Sequence, residues 1–192
     1  MSGVHERRVD QEWRLLIHLA AANPGIVDIH GRRTEADSDV FVIALHRTSG
    51  LTRHAGGLSP SDDHEASIYF RPFFPSVPIE VSLAQPVFHP NVHPESGFVC
   101  LWNRFSVEDT VFETIAQLQR VVTWQLFNDA SVHVMQPDAL GWLRTSSSAV
   151  WPLPLPCTSI VTPPDIQMAR TWCASPAPNR RQRLERFPIA LV

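Results

Sequence analysis

The sequence predicts an α+β fold: an N-terminal helix, a four-strand antiparallel meander, a proline-rich loop and a long helix packed on the sheet. Two changes of hydrophobic period carry this expectation. Apolar residues recur at helical spacing near the start, give way to short runs rich in β-branched and aromatic residues, and return to helical spacing after Cys100. Between the last strand and that return, the chain is too rich in proline for any helix.

Each element has its own signal. Val9, Trp13, Leu16, Ile17 and Ala20 form one stripe of a helix over Val9–Ala22, which Asn23-Pro24-Gly25 ends. Ile26–His30, Val40–Leu45, Ala66–Phe70 and Ile79–Leu83 read as four successive strands, hence the meander. Thr48–His64, with three glycines among Ser, Asp and His, reads as a water-exposed hairpin loop. Six prolines between Pro72 and Pro94 remove backbone donors and restrict their neighbours, favouring a fixed, extended path. Val111, Ile115, Leu118 and Val122, reinforced by Phe112 and Leu126, line the long helix, with Ser106 and Asp109 as the expected capping pair. Pro137–Leu143 begins a shorter helix, since proline in a first turn costs no hydrogen bond. From Val150 the periodicity fades into Pro and Ser, and Arg180, Arg181, Arg183 and Arg186 cluster near the end. The expected organisation is one domain over 1–150 and a Pro-rich extension over 151–192.

The chemistry concentrates between Arg71 and Trp102. This stretch holds His89-Pro90-Asn91 and, nine residues after Asn91, Cys100. Cysteine is the best nucleophile among neutral side chains, and an upstream amide could donate to charge developing on an attacked carbonyl. Residue types alone leave a structural reading open for each: a buried inert thiol for Cys100, a turn cap for Asn91.

In order, Phe74-Pro75-Ser76-Val77-Pro78, the strand Ile79–Leu83, His89-Pro90-Asn91, Gly97 and Val99-Cys100-Leu101 resemble the active-site region of ubiquitin-conjugating enzymes. The resemblance spans about Glu6 to Leu143. It implies that Cys100 carries a ubiquitin-like protein as a thioester, received from an adenylating activating enzyme and passed to a target protein. It implies that Asn91 steadies the loop and stabilises the oxyanion, and that His89 and Pro90 support the loop. The family's acceptor-activating acid comes from a loop after the long helix, here Phe127–His133, where Asp129 and His133 are the candidates; both could equally be ordinary turn residues. The Asn91–Cys100 loop is one residue longer than usual, Trp102 stands where an Asp often follows Cys-Leu, and no Trp-x-Pro follows at the usual distance. These departures resemble the divergent bacterial branch, encoded beside a ubiquitin-like protein, an activating enzyme and a deconjugating metallopeptidase in conjugation systems of the antiphage defence type. Two alternatives stay open: a non-catalytic module that binds a ubiquitin-like protein on the same fold, and a cysteine hydrolase pairing Cys100 with a histidine.

Composition narrows the rest. Hydrophobic residues make up 44% of the chain, enough for a real core. A net charge of -3 argues against nucleic acid as partner, because that affinity rests on accumulated positive charge. No apolar run approaches a bilayer span, so no membrane partner is expected. The three cysteines, Cys100, Cys157 and Cys173, leave an odd thiol and form no C-x-x-C pair, which fits a reducing, cytoplasmic compartment and argues against zinc. No Gly-rich phosphate loop is present, so no cofactor is expected and ATP would be consumed by the activating partner. All 16 basic residues are arginine, so the chain offers no lysine amine of its own.

Overall fold

A computed structural model describes residues 3–102, 104–145 and 152–162. Helix α1 (Val4–Ala22) begins earlier than its apolar stripe, from Gly3. Strands β1 (Val27–Glu35) and β2 (Ser38–Leu45) pair antiparallel. The expected open loop then turns out to contain a hairpin of its own, β3 (Gly50–His54) and β4 (Gly57–Ser61), forming a separate two-stranded sheet. Only Gly56 lies in its turn; Gly50 and Gly57 begin the two strands, and Leu51 is fully buried rather than water-exposed. Strands β5 (His64–Phe70), β6 (Glu80–Leu83) and the two-residue β7 (Phe98–Val99) complete the main sheet in the order β1-β2-β5-β6-β7. The expected four-strand meander is therefore present, with β7 added at its edge just before Cys100.

Helix α2 (Val111–Val122) lays Val111, Ile115, Leu118 and Val122 into a core shared with Leu16 and Leu19 of α1 and with Phe41, Ile43 and Ile68 of the sheet. Its cap is not the expected Ser106–Asp109 pair. Asp109 instead closes a turn by accepting from Ser106 N–H at 2.6 Å. Thr110 is the N-cap: its hydroxyl accepts from Phe112 N–H at 3.2 Å, and Glu113 reaches back to Thr110 N–H at 2.9 Å. Buried Glu12 of α1 joins the two helices by accepting from Val111 N–H at 2.7 Å, with Arg8 at 3.0 Å. Burial raises the Glu12 pKa despite both contacts.

Helix α3 (Pro137–Thr145) packs Ala139 into a second apolar cluster with Leu51, Phe88, Trp124 and Leu155. Leu155 lies beyond the expected domain boundary at residue 150, and the segment around it is woven into the fold. Leu155 N–H donates to Thr123 O, Ser49 N–H to Pro156 O, and Thr158 N–H to Arg47 O, each at 2.9 Å. Asn23 clamps Val161 through its carbonyl at 2.9 Å and its N–H at 2.6 Å. The described residues up to Val161 accordingly belong to one compact unit. Periodicity could not reveal this, because the segment contributes one buried leucine and backbone hydrogen bonds rather than a helical or strand stripe. The terminal arginine cluster lies outside the described residues. Among the described residues, no helix is long and apolar enough to cross a membrane.

Candidate active site

Two segments converge on Cys100. The first runs from β6 to β7 and is fixed by burial. His89 is fully buried and accepts the Asn91 N–H on Nδ1 at 3.1 Å, while its ring stands edge-on to Trp124 with centroids 4.7 Å apart. Desolvation lowers its pKa to about 3, so His89 is a neutral support and has no basicity to contribute near pH 7. Gly97 sits at φ +69°, and a Cβ there would lie 1.9 Å from the Leu83 carbonyl oxygen. Only glycine fits that turn, which places β7 against β6. Cys100 N–H then donates to Asn91 O at 2.9 Å, tying the cysteine to the His-Pro-Asn tripeptide.

The second segment follows α2 and includes the loop Phe127–His133, ending in a single 3₁₀ turn (Ser131–His133). Asn91 holds it. Its Oδ1 accepts from Asn128 N–H at 2.7 Å, and its Nδ2 donates to Asn128 O at 2.7 Å and His133 O at 2.9 Å. Pro90 O accepts from Met135 N–H at 2.7 Å and Gln136 N–H at 3.2 Å. The Gln136 side chain donates to Val87 O and Val92 O at 2.9 and 2.8 Å, completing the seam.

The seam brings His133 to the cysteine: Nδ1 lies 3.1 Å from Cys100 Sγ. Burial pushes the Cys100 pKa up, so the resting group is a thiol. In the tautomer that carries its proton on Nε2, His133 presents an acceptor to this thiol donor. A cavity of about 260 Å³ opens beside Cys100, lined by the apolar Trp102, Leu126 and Phe127 and the polar Asn91, Asn128 and Asp129. Asp129 reaches this rim but not the sulfur; its exposed carboxylate lies 3.8 Å from Arg144.

The residues singled out in the sequence thus take different places. Cys100, Asn91, His89, Pro90 and His133 form one connected cluster, and Asp129 sits at the rim. Both amide hydrogens of Asn91 are engaged by loop carbonyls, so in this state its amide positions the loop, and donation to an oxyanion requires one of those bonds to open. Gln136 was not foreseen. Its partners lie far away in sequence, and Gln before Pro carries no local signal of a seam. His93 organises the lengthened loop by accepting from Glu95 N–H at 3.3 Å and Ser96 N–H at 3.2 Å.

The chain has the ubiquitin-conjugating-enzyme-like α+β fold. Among solved structures it is similar to a protein assigned as a ubiquitin-conjugating enzyme from Trypanosoma cruzi, with a TM-score of 0.53 and 18% identity over 76% of this chain and 94% of that one. It is also similar to one so assigned from Plasmodium yoelii, with a TM-score of 0.52 and 15% identity over 77% and 89% of the respective chains. No protein-family model and no curated protein matches the sequence.

Proposed function

We propose that this protein is a ubiquitin-conjugating-type acyl carrier: it accepts the C-terminal carbonyl of a ubiquitin-like protein as a thioester on Cys100 and passes it to a target nucleophile. The observation that carries this reading is Cys100, half-buried at the mouth of a cavity and bonded through its backbone to Asn91. The fold and the ordered motifs around it support the same class. On loading, Sγ attacks the carbonyl carbon of the activating enzyme's thioester. The Cys100 proton passes to His133 Nδ1 and on to the departing thiolate, so a thiol that burial keeps protonated can still react. Asn91 positions His133 for this step by holding both ends of the loop that carries it. ATP is consumed by the activating enzyme. The departures around Cys100 support a reading within the divergent bacterial branch, and the odd number of cysteines supports a cytoplasmic one.

With the ubiquitin-like protein, activating enzyme and ATP supplied, a reductant-sensitive adduct is expected on Cys100. Cys100→Ser should yield a more stable oxyester and Cys100→Ala none; an adduct that persists in Cys100→Ala, on Cys157 or Cys173, would refute the assignment. The contact between Cys100 and His133 also favours a second reading, a cysteine hydrolase. The two separate when no acceptor is present: a carrier holds its adduct, whereas a hydrolase turns over steadily to the free acid. A binding module without chemistry has no use for the Cys100–His133 pair.

A further inference from the structure

We propose that the acceptor this site is built for is an alkyl hydroxyl, such as a serine or threonine side chain, rather than a lysine amine. The inference rests on the acyl-carrier reading above and specifies its second half-reaction.

An ammonium ion and an alcohol make different demands. The ammonium arrives charged, so it needs a carboxylate to offset its desolvation and to take up its proton. The alcohol arrives neutral but is a poor nucleophile until a base removes its proton in the transition state. Among the described residues lining the cavity, Asp129 supplies the one carboxylate. It is exposed, lies 3.8 Å from Arg144 and has no contact with Cys100. Trp102, Leu126 and Phe127 in the lining offer apolar contact to the alkyl part of a neutral entrant. The group that does reach the sulfur is an imidazole, with Nδ1 3.1 Å from Sγ.

The atoms balance around that nitrogen. With the acyl group on Cys100, the sulfur no longer carries a proton and Nδ1 is free to accept one. The hydroxyl oxygen attacks the thioester carbonyl and its proton moves to Nδ1. The C–O bond forms, the C–S bond breaks, and His133 returns the proton to the departing Sγ thiolate. The product is an ester, and the enzyme is left with its thiol directed at Nδ1, the arrangement of the uncharged structure.

The test charges the full chain on Cys100 with acetyl-Gly-Gly mercaptoethanesulfonate thioester, removes excess thioester, and offers N-acetylthreonine amide or N-acetyllysine amide at neutral pH. Mass spectrometry follows the intact protein and the products. Ester formation with the threonine compound should exceed amide formation with the lysine compound by about 10-fold, and His133→Gln, which loads more slowly and is therefore compared at equal charging of Cys100, should slow ester formation about 10²-fold. His133→Gln keeps the backbone carbonyl that Asn91 holds, so the loop stays in place. Faster transfer to the lysine compound, indifferent to His133→Gln, would overturn the hydroxyl proposal and leave the carrier reading standing. Release of acetyl-Gly-Gly acid at a rate that threonine does not change would also overturn it, in favour of the hydrolase. Failure of Cys100 to acylate would overturn the carrier reading and this proposal together.

Discussion

The segment that carries the nucleophile and the segment that carries the base are held by opposite means. Around Cys100, His89, Asn91, Val92 and Val99 are buried, and Gly97 lies against the Leu83 backbone. Around His133 the chain is open to water: Val132 is 85% exposed and Phe127 43%. Hydrogen bonds from Asn91, Pro90 and Gln136 fix the second segment to the first, with little apolar packing to help. The contrast teaches where precision at the site comes from. Burial sets the sulfur, and a few polar side chains transmit that position to the imidazole.

The most severe way to break the comparison is Gly97→Ala. The left-handed turn costs a side chain about 1 kcal/mol, and relieving the overlap with the Leu83 carbonyl means losing the Leu83 N–H bond to Gly97 O at 2.9 Å. We expect a total loss of about 3 kcal/mol or more in denaturant unfolding; a loss under about 1 kcal/mol would mean that the nucleophile segment adapts as readily as the base segment.

The second perturbation acts on the anchor of the base segment. Leu155 caps the cluster around Trp124, the residue from which the chain leaves α2 toward Phe127. A chain ending at Val150 loses that contact and the bonds to Thr123, Ser49 and Arg47, and it should be less stable than one ending at Thr162 by about 2 kcal/mol after the ordering entropy of the segment is offset. Equal melting of the two truncated chains would return the boundary to residue 150.

A gentler probe is pH. His89 has its folded pKa lowered from 6.5 to about 3, so the unfolded chain binds the proton more readily. Its stabilising contribution is complete above about pH 6.5 and is lost on acidification toward pH 3, at up to about 1.4 kcal/mol per unit. His64, lowered by burial, acts in the same direction, whereas Glu12, raised by burial, acts in the opposite one. His89→Gln isolates the first contribution: its unfolding free energy should fall less steeply with acid than that of the parent, and an unchanged slope would mean that His89 is not buried as a neutral ring.

These outcomes bear on what the sequence made legible. The helices, the meander and the motifs around Cys100 could be read because period and proline are local signals. The β3–β4 hairpin was hidden because its strands are short and carry only Leu51 and Leu58 as large apolar residues. At the candidate site, Cys100 and Asn91 stand out in the sequence through the resemblance that the ordered motifs of one segment carry. His133 and Asp129 could not be ranked, since only the seam between the two segments decides which of them reaches the sulfur. The cap of α2 was misplaced for a related reason: Ser106–Asp109 and Thr110–Glu113 both have capping spacing, and the choice depends on where Glu12 meets the helix.

The most direct measurement of the central claim, that Asn91 acts by holding His133 at the sulfur, is a double-mutant cycle on discharge of acylated Cys100. Asn91→Ala and His133→Gln should each slow discharge by about 10²-fold, and the double variant should be no slower than either alone, because both remove one base from one position. Multiplying losses, of about 10⁴-fold in the double variant, would show that Asn91 acts on the transition state independently of His133 and would contradict the account.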